Sequence, residues 1–508
     1  MSKHMARAVM VLGTTSGAGK SWLATALCRW YARRGLKVAP FKAQNMSNNA
    51  RVVPGPDGRM GEIGSAQYFQ ALAARTLPEV RQNPVLLKPE ADTRSQVVVL
   101  GAVRHDLGAV PWRERSEALW PFARDALHAL MAENDVVVIE GAGSPAEINL
   151  HSSDFVNMRT ALAVDAACLL VTDIDRGGAF AHLYGTHQLL PAEERALIRG
   201  FVLNRFRGDA ALLSPGPEQL EALTGVPTVA VLPMWREHGL PEEDGVFDDR
   251  STGGASSVRP LRVAVIAYPR ISNLDEFQPL RNLPGVRLVW ARGPADLDGA
   301  DWVVLPGSKH TMADLAWLRA QGLDLAVARH AAQGGAVLGI CGGLQMLGEA
   351  LIDLHAVDDP LGGNAPGLGL LPLVTAFDPD KLLQPTQARF AALAEPCGPW
   401  AALSGVVFEG YEIHHGRTGQ HADLPAATEA VHNAAGEVLG WQQGAVLGLY
   451  AHGLFESPAV LRAFFGAEVR TLDAVFDGLA DFLDRHVPEG VLMSLLQQDN
   501  NDTEKEPR

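Results

Sequence analysis

The sequence predicts an α/β protein with two doubly wound domains, each a mostly parallel sheet covered by helices, and a helical C-terminal segment. Short apolar, β-branched runs alternate with amphipathic stretches twice along the chain, which is the pattern of parallel sheets covered by helices. The 508 residues suffice for two to four domains, and 47% hydrophobic residues can fill their cores. Between the two series lies DRSTGGASSVRP at 249–260, a Ser- and Gly-rich segment that predicts a linker.

The first predicted domain covers residues 1–248 and the second covers 261–457. In the first, the predicted strands are 8–13, 37–41, 97–101, 135–140, 168–173, 200–204 and 228–232, with a clear helix at 21–34. In the second, they are 261–267, 287–290, 302–305 and 336–340, and runs at 405–413 and 445–451 complete or extend that sheet. Residues 458–496 read as a helical extension, and 497–508 are too polar to pack, so we expect a disordered tail.

The overall composition excludes several classes of function. Lys plus Arg is 43 and Asp plus Glu is 58, so the net charge of −15 disfavours nucleic acid or a membrane surface as a partner. The four cysteines show no zinc-ligand spacing and no disulfide framework; they are Cys28, Cys168, Cys341 and Cys397. Residues 1–11 lack a signal-peptide core and no apolar run is long enough to span a bilayer, so we expect a cytoplasmic protein.

A glycine-rich loop, GTTSGAGKS at 13–21, follows the first predicted strand and precedes a helix. In such a loop, free backbone N–H groups bind phosphate oxygens, and we expect Thr14, Gly17 and Gly19 to contribute to this cradle. Lys20 would neutralise the β- and γ-phosphates, and the Ser21 hydroxyl would bind Mg²⁺. The strict GxxxxGK[ST] pattern places glycine at position 14, so the loop is a variant, and a chance GKS after a strand is the alternative.

Further candidate residues of this first site stand near the ends of predicted strands. Lys42 in PFKAQN and Glu140 in VVVIEGAG lie where an open parallel sheet presents groups to its ligand. A carboxylate beside a triphosphate favours Mg²⁺, so Glu140, and Glu62 in GEIGSAQ, are candidate metal ligands; a solvated loop carboxylate is the alternative for each. In VTDIDRGGAF, Asp173, Asp175 and Arg176 are either site residues or a helix-capping cluster.

A second site is indicated by GICGG at 339–343, which follows the strand AVLGI and precedes a predicted helix at 344–354. This is the pattern of a nucleophile elbow, in which small neighbours let the nucleophile, here Cys341, sit on a tight turn. The helix start should favour the thiolate, and the Gly342 N–H can stabilise an oxyanion. Gly307, after another predicted strand, would supply the second oxyanion donor. The other three cysteines read as buried small hydrophobes.

A thiolate nucleophile needs a base, and three histidines near the ends of later strands could serve. His452 follows VLGLYA, whereas His414 and His415 follow EGYEI. A histidine in such a place is often only structural, so the choice stays open.

The Cys341 elbow, PGS at 306–308 and a later histidine resemble the class I glutamine amidotransferase domains, in which Cys and His hydrolyse glutamine through a thioester. That family commonly carries His-x-Glu, whereas this chain has His452-Gly453-Leu454. The cobyric acid synthase and cobyrinate a,c-diamide synthase branch resembles this chain in lacking that Glu. Glu456 cannot simply take its place. The resemblance therefore implies a Cys–His pair with an unidentified orienting group.

The first half resembles the dethiobiotin synthetase-type ATPases in its P-loop-type sheet. The shared residues are GT-x5-GK[ST] at 13–21, a second lysine at Lys42 and EGAG at 140–143. Those enzymes form an acyl or carbamoyl phosphate at a carboxylate or carbamate. The resemblance implies use of ATP and Mg²⁺, with no tightly bound cofactor. It also implies that Asn204 in VLNR and the region of Pro233 meet the adenine.

From residue 8 to residue 456 the chain resembles the adenosylcobyric acid synthases, through FKAQNMSNNA, NPVLLKPEADTRSQVVVLG, IEGAGSPAEINL, DIDRGGAFAHLYGT, LNRFRGD, GYEIHHGRT and YAHGLFE. The resemblance implies that ATP and glutamine serve to amidate the b, d, e and g carboxylates of adenosylcobyrinic acid a,c-diamide, a corrinoid. Three alternatives remain: a sister ligase acting on the a and c carboxylates or another acid, a partitioning ATPase, and a non-catalytic glutaminase-like module. Partitioning ATPases carry a signature lysine where this chain has Thr15, which argues against them.

Overall fold

The computed structural model describes residues 6–91, 94–108, 110–241, 260–359, 362–393, 396–466 and 470–497. Nearly all of the predicted linker at 249–260 and of the predicted tail at 497–508 lies outside these residues. The domain boundaries at 248 and 261 therefore stay a prediction.

The described strands of the first half form three sheets. In chain order they are β1 (Arg7–Gly13), β2 (Val38–Phe41), β3 (Gln44–Met46), β4 (Ala50–Pro54), β5 (Met60–Gly64), β6 (Val85–Ala91), β7 (Arg94–Val99), β8 (Ala102–Val103), β9 (Val136–Glu140), β10 (Ala167–Asp173), β11 (Ile198–Phe206) and β12 (Thr228–Pro233). The main sheet is parallel throughout, in the order β12-β11-β10-β1-β9-β2. The α/β class and the parallel sheet are thereby confirmed.

Helices cover both faces of this sheet, and this is why its strands are continuous apolar runs. They are α1 (Lys20–Arg33), α2 (Ser65–Ala73), α3 (His105–Gly108), α4 (Trp112–Glu133), α5 (Met158–Ala163), α6 (Ala179–Leu189), α7 (Ala192–Arg195) and α8 (Gly216–Thr224). Along β1, Met10 and Leu12 enter one core while Val9 and Val11 enter the other, and all four side chains are fully buried. The carboxyl ends of β1, β2 and β9 consequently open at one edge, beside the start of α1.

The predicted strand at 97–101 does not belong to this sheet. It is part of β7, which pairs antiparallel with β6 in a separate sheet of order β3-β6-β7-β8. A parallel neighbour would require a crossover of a dozen or more residues, whereas only two residues separate β6 from β7. The apolar content of this segment is that of a central parallel strand, so periodicity alone could not distinguish the two.

The second half forms a large mixed sheet and, apart from it, a short two-stranded sheet. Its described strands are β13 (Leu261–Ile266), β14 (Ile271–Ser272), β15 (Val286–Ala291), β16 (Trp302–Leu305), β17 (Gly307–Ser308), β18 (Ala336–Ile340), β19 (Ala350–Asp353), β20 (Gly363–Pro366), β21 (Leu373–Phe390), β22 (Val407–Gln420), β23 (Thr428–Asn433), β24 (Val438–Gln443) and β25 (Val446–Leu449). β14 pairs with β17 in the separate short sheet. In the large sheet, the strand order β15-β13-β16-β18-β25 is parallel. The extension from β24 onwards is antiparallel except that β19 pairs parallel with β21. The expectation that late runs extend this sheet is confirmed by β22 and β25.

The helices of the second half are α9 (Gln278–Arg281), α10 (Thr311–Ala320), α11 (Leu323–Ala332), α12 (Gly342–Leu347) and α13 (Pro458–Phe465). The predicted helix at 344–354 was too long, because α12 ends at Leu347 and residues 350–353 form β19. Gly348 stops the helix with an extended backbone, φ −68° and ψ −176°. A Cβ at Gly348 would lie 2.7 Å from the Leu373 carbonyl oxygen, so close packing fixes this residue.

The helical C-terminal region is confirmed, and it packs back on the first half. It continues beyond α13 with α14 (Leu472–His486) and α15 (Val491–Ser494). Arg29 of α1 is fully buried and pairs with Asp473 and, at 2.8 Å, with Asp477. Apolar side chains of α14 and α15 share one core with α1. The last helices thus complete the helical layer on the face of the main sheet that α1 covers.

Candidate functional site

The loop at 13–21 passes from β1 to α1 in the conformation that a phosphate cradle requires. Gly17 and Gly19 have φ of +71° and +101°, a region that favours glycine. A Cβ at Gly19 would lie 2.1 Å from the amide nitrogen of Asn204, which in turn donates to the Ala18 carbonyl at 2.9 Å. Asn204 therefore braces the loop. Thr14 anchors its other end by donating its N–H to the Val171 carbonyl at 2.9 Å.

Four predicted residues of this site, Lys20, Ser21, Lys42 and Glu140, lie together at the edge of the sheet. The Ser21 hydroxyl and the Lys42 ammonium each donate to Glu140 Oε1 at 2.8 Å. Lys20 Nζ lies across the loop, donating to the Thr15 and Gly143 carbonyls at 3.0 and 3.1 Å. Binding of a triphosphate with Mg²⁺ requires buried cations, a hydroxyl and a carboxylate, and these four residues provide them.

Glu140 is buried yet ionised. Burial alone would raise its pKa, but Lys42 and hydrogen bonds from Gln70 and Ser21 hold the pKa of this carboxyl below its ordinary value. The amide of Gln70 on α2 donates to Glu140 Oε2 at 2.5 Å, and Gln67 donates to the same oxygen at 3.4 Å. An ionised carboxylate beside the Ser21 hydroxyl gives two hard oxygen ligands, and these fit Mg²⁺.

Glu62 does not share this arrangement. Its two carboxylate oxygens accept from Lys88 at 2.7 Å and from Lys381 of the second half at 2.6 Å, and the residue is fully buried. Burial raises its pKa, but the two lysines overcome this effect and hold the pKa well below the ordinary value. Because both oxygens are engaged by ammonium groups, the predicted metal role of Glu62 has no support in this arrangement. The residue instead joins the two halves.

In the structure, Asp173, Asp175 and Arg176 form a cluster of capping and ion-pair contacts, and a role for them in the site stays a prediction. Asp173 Oδ1 accepts the Asp175 N–H at 3.0 Å, and its Oδ2 pairs with Arg176 at 3.3 Å and with Arg205 at 2.9 Å. Asp175 pairs with Arg207. Only Arg176 remains beside the phosphate loop, since a Cβ at Gly17 would lie 3.6 Å from its guanidinium.

The second site is built on the turn between β18 and α12. Cys341 has φ +50° and ψ −107°, a strained conformation for a residue with a side chain, and its N–H donates to the Leu449 carbonyl at 2.8 Å. A Cβ at Gly343 would lie 1.9 Å from the Leu305 carbonyl oxygen, so no larger residue fits the turn. This is the elbow that GICGG predicts.

The two predicted oxyanion residues lie against this turn. A Cβ at Gly342 would lie 2.8 Å from the Ser308 backbone nitrogen, and one at Gly307 would lie 2.9 Å from the His452 ring. Gly307 and Gly342 therefore stand where β17 and the start of α12 approach each other. This is the place where backbone N–H groups of an oxyanion hole are required.

His452 has the orienting carboxylate that the sequence did not identify. Its Nδ1 lies 3.2 Å from Glu276 Oε1, and the Gly453 N–H donates to Glu276 Oε2 at 3.1 Å. Burial would lower the pKa of His452, but Glu276 and then Cys341 raise it to about 10. His452 Nε2 forms no hydrogen bond within the described residues. That nitrogen is the atom available for proton transfer.

Glu276 was missed because nothing in NLDEFQPL marks it. It lies on a short 3₁₀ turn, Leu274–Phe277, 176 residues before its partner. The only available signal was an acidic pair in a loop shortly after the first strand of the sheet. Glu456, by contrast, pairs with Arg51 at 2.6 Å.

The alternative bases have other partners. His414 donates from Nδ1 to the Gly416 carbonyl at 2.9 Å and stacks on Tyr450 at 3.9 Å. His415 donates from Nδ1 to the Asp378 carbonyl at 3.0 Å, and burial followed by the charge of Lys381 lowers its pKa to about 4. His414 Nε2 also lies 3.3 Å from Glu412 Oε2, so both of its ring nitrogens are engaged, and His415 pairs with no carboxylate among the described residues.

Cys341 opens into a cavity that both halves of the chain line. The first half contributes Asn48 and Lys88; the second contributes polar groups that include Ser308, Lys309, Lys381 and His415. Its lining is polar and includes three lysines, Lys88, Lys309 and Lys381, so it suits a small polar ligand that carries a carboxylate.

Comparison with known proteins gives a family model for each half. Residues 9–242 match the CobQ/CobB/MinD/ParA nucleotide binding domain, and residues 262–460 match the CobB/CobQ-like glutamine amidotransferase domain. The cobyric acid synthase of Leptothrix cholodnii is 75% identical over 501 residues, covering 97% of each chain. That of Methylibium petroleiphilum is 75% identical over 499 residues, covering 97% of this chain and 98% of its own.

The chain belongs to the cobyric acid synthase family. A third relative, the cobyric acid synthase of Variovorax paradoxus, is 68% identical over 492 residues and covers 96% of this chain and 99% of its own. Each of the two family models contains the residues of one of the two sites that the structure brings together. Lys20, Lys42 and Glu140 fall within the nucleotide-binding model, whereas Cys341, His452 and Glu276 fall within the amidotransferase model. In the part of the chain that is described, no helix combines the length and apolar character needed to cross a membrane.

Proposed function

We propose that this protein uses ATP and glutamine to amidate the b, d, e and g carboxylates of adenosylcobyrinic acid a,c-diamide, giving adenosylcobyric acid in the cytoplasm. One observation carries the proposal: a single chain holds a Lys20–Ser21–Lys42–Glu140 phosphate site and a Cys341–His452–Glu276 nucleophile site. Similarity to cobyric acid synthases over nearly the whole length of the chain supports the same assignment.

Glutamine hydrolysis follows from the second site. The Cys341 thiolate attacks the side-chain amide carbon, and the N–H groups at Gly307 and Gly342 stabilise the resulting oxyanion. His452 Nε2 donates its proton to the leaving nitrogen, so ammonia departs and a thioester remains. Water then attacks the thioester, His452 takes the proton, and glutamate is released. Glu276 keeps the proton on Nδ1 and stabilises the charged imidazole throughout.

Carboxylate activation follows from the first site. A carboxylate is a poor electrophile, so an oxygen of the substrate attacks the γ-phosphorus of ATP and ADP leaves. Lys20 and Lys42 stabilise the charge on the transferred phosphoryl group. Ammonia then attacks the acyl phosphate carbon, the amide forms and phosphate departs with the original carboxylate oxygen.

Ser21 and Glu140 are the residues that would hold Mg²⁺ at this site. The ion, when bound, neutralises phosphate charge and orients the triphosphate. Lys42 and Ser21 already hold Glu140 in place, which keeps its Oε1 beside the phosphate loop.

The deciding experiment is to incubate the protein with ATP, glutamine and adenosylcobyrinic acid a,c-diamide and to count amide additions by mass. Four additions, each accompanied by one ADP and one glutamate, are expected. Two additions to the fully acidic precursor and none to the diamide would instead identify a sister ligase for the a and c carboxylates. Hydrolysis of ATP without any amide product would contradict both.

A further inference from the structure

The turn that carries Glu276 is held by a strand of the other half. At the start of β4, the Ala50 N–H donates to the Asn273 side chain at 3.0 Å. The Asn49 side chain accepts the Leu274 N–H, also at 3.0 Å. These contacts immediately precede Glu276, so the position of that carboxylate depends on residues of the nucleotide-binding half.

Arg51, the next residue of β4, is the charged centre of this contact. Its guanidinium pairs with Asp275 and makes two bonds to Glu456, Nη1 to Oε2 at 3.0 Å and Nη2 to Oε1 at 2.6 Å. The residue is only 2% exposed. Asp275 directly precedes Glu276, and Glu456 lies four residues after His452. One guanidinium therefore fixes both segments that supply the base and its carboxylate.

A third contact reaches His452 through Tyr411. The Arg51 guanidinium carbon lies 5.0 Å from the centre of the Tyr411 ring. That ring stacks on the His452 ring with centroids 5.3 Å apart and planes at 21°. The backbone N–H of His452 donates to the Tyr411 carbonyl at 2.9 Å. Tyr411 thus packs against both the cation and the base.

We infer that Arg51 is a positioning residue for glutamine hydrolysis, holding Glu276 and His452 in line with Cys341 from the nucleotide-binding half. The inference rests on the proposed glutaminase activity and adds to it that the amidotransferase half cannot assemble its own catalytic geometry. The catalytic groups come from one half, and the side chain that holds them in place comes from the other.

The chemistry of arginine explains why this residue type is required. Its planar fork can bind two carboxylates and stack over a ring at the same time, whereas a lysine ammonium is a compact point charge that cannot meet all three demands. Without the cation, the buried carboxylate of Asp275 and the partly buried carboxylate of Glu456 would stand unpaired beside Glu276, and their repulsion would displace the turn. A shift of about 1 Å in a catalytic group is enough to lower a rate about 100-fold.

The test compares the wild-type protein with Arg51→Ala and Arg51→Lys, in steady-state assays with glutamine and with ammonia. Arg59→Ala is the matched control, because Arg59 belongs to the turn of the same hairpin but its side chain is 87% exposed. For Arg51→Ala we expect kcat for glutamine hydrolysis to fall about 10- to 100-fold, with KM changed less than about threefold. The kcat of Arg51→Lys should lie between those of the wild type and Arg51→Ala. Ammonia-dependent amidation should stay within about twofold of wild type, as should both activities of Arg59→Ala.

The outcomes separate this inference from the proposed function. A wild-type protein without glutaminase activity would contradict the proposed function itself. An active wild type with an unchanged Arg51→Ala kcat would overturn the inference alone. An equal loss from glutamine and ammonia would also overturn it, because it would show that Arg51 only maintains the fold. Glu456→Gln, which keeps the side-chain shape, should show the same selective loss.

Discussion

Glu276 Oε1 lies 3.2 Å from His452 Nδ1, and both side chains are fully buried. The carboxylate therefore selects the tautomer with the proton on Nδ1 and leaves Nε2 for catalysis. Glu276→Gln keeps the size of the side chain but removes the charge. We expect its glutamine-dependent kcat to fall about 10²- to 10⁴-fold, measured as glutamate release. Ammonia-dependent amidation serves as the control, and an unchanged glutamine rate would exclude Glu276 from the site.

The same pair predicts a pH dependence of stability. Burial alone would lower the pKa of His452, but Glu276, followed by Cys341, raises it to about 10, above its ordinary value of 6.5. The stabilisation from the charged imidazole is therefore fully present below about pH 6.5 and is lost as the pH rises through about 10. The difference in thermal midpoint between wild type and Glu276→Gln should shrink between pH 7 and pH 10.5. A difference in thermal midpoint that stays constant over this range would contradict a charged pair between Glu276 and His452.

Cys341→Ser should separate the two half-reactions. The serine hydroxyl is a far weaker nucleophile in this turn, so glutamine-dependent amidation should fall about 10³-fold or more. Amidation with a high concentration of ammonia should persist, because the phosphate site is untouched. Cys397→Ser, at another buried cysteine, is the control and should keep both activities. Equal losses from both nitrogen sources in Cys341→Ser would refute the division of labour.

The choice of base can be made by comparing His452→Ala with His415→Ala. His452→Ala should form thioester with glutamine at less than about one hundredth of the wild-type rate, because no other imidazole in the described part of the chain pairs with Glu276. His415→Ala should retain thioester formation within about tenfold, since that imidazole lines the cavity without a carboxylate partner. Rapid-quench mass analysis of the Cys341 thioester provides the measurement. The reverse order of effects would make His415 the base.

Lys20→Ala addresses the phosphate site. Loss of the ammonium should lower ATP-dependent amidation about 10²- to 10³-fold with either nitrogen source, because charge on the transferred phosphoryl group is no longer stabilised. Glutamine hydrolysis should survive in part, and the two assays run in parallel give the comparison. Arg33→Ala, at the exposed end of the same helix, is the control for general effects on α1. Unchanged amidation in Lys20→Ala would show that the loop at 13–21 takes no part in activating the carboxylate.

The sequence was informative where a function depends on adjacent residues. The phosphate loop and the cysteine elbow are single turns between a strand and a helix, so their glycines and their nucleophile or lysine appear together in the chain. Glu276 and Arg51 could not be predicted in this way, because each acquires its role through contacts more than 170 residues away along the chain. Glu62 illustrates the same limit, since its lysine partner Lys381 lies in the other half.

The return of α14 and α15 to α1 makes the glutaminase half an insertion within the nucleotide-binding unit. The buried face of α1, including Leu27, Trp30 and Tyr31, shares its core with side chains of α14 and α15, and the Tyr31 hydroxyl donates to the Leu492 carbonyl at 2.7 Å. The sheet and α2 cover part of this face early, but the part that α14 and α15 cover stays open during synthesis until residues 472–494 have been made. The nucleotide-binding half is therefore synthesised first but completes its packing last.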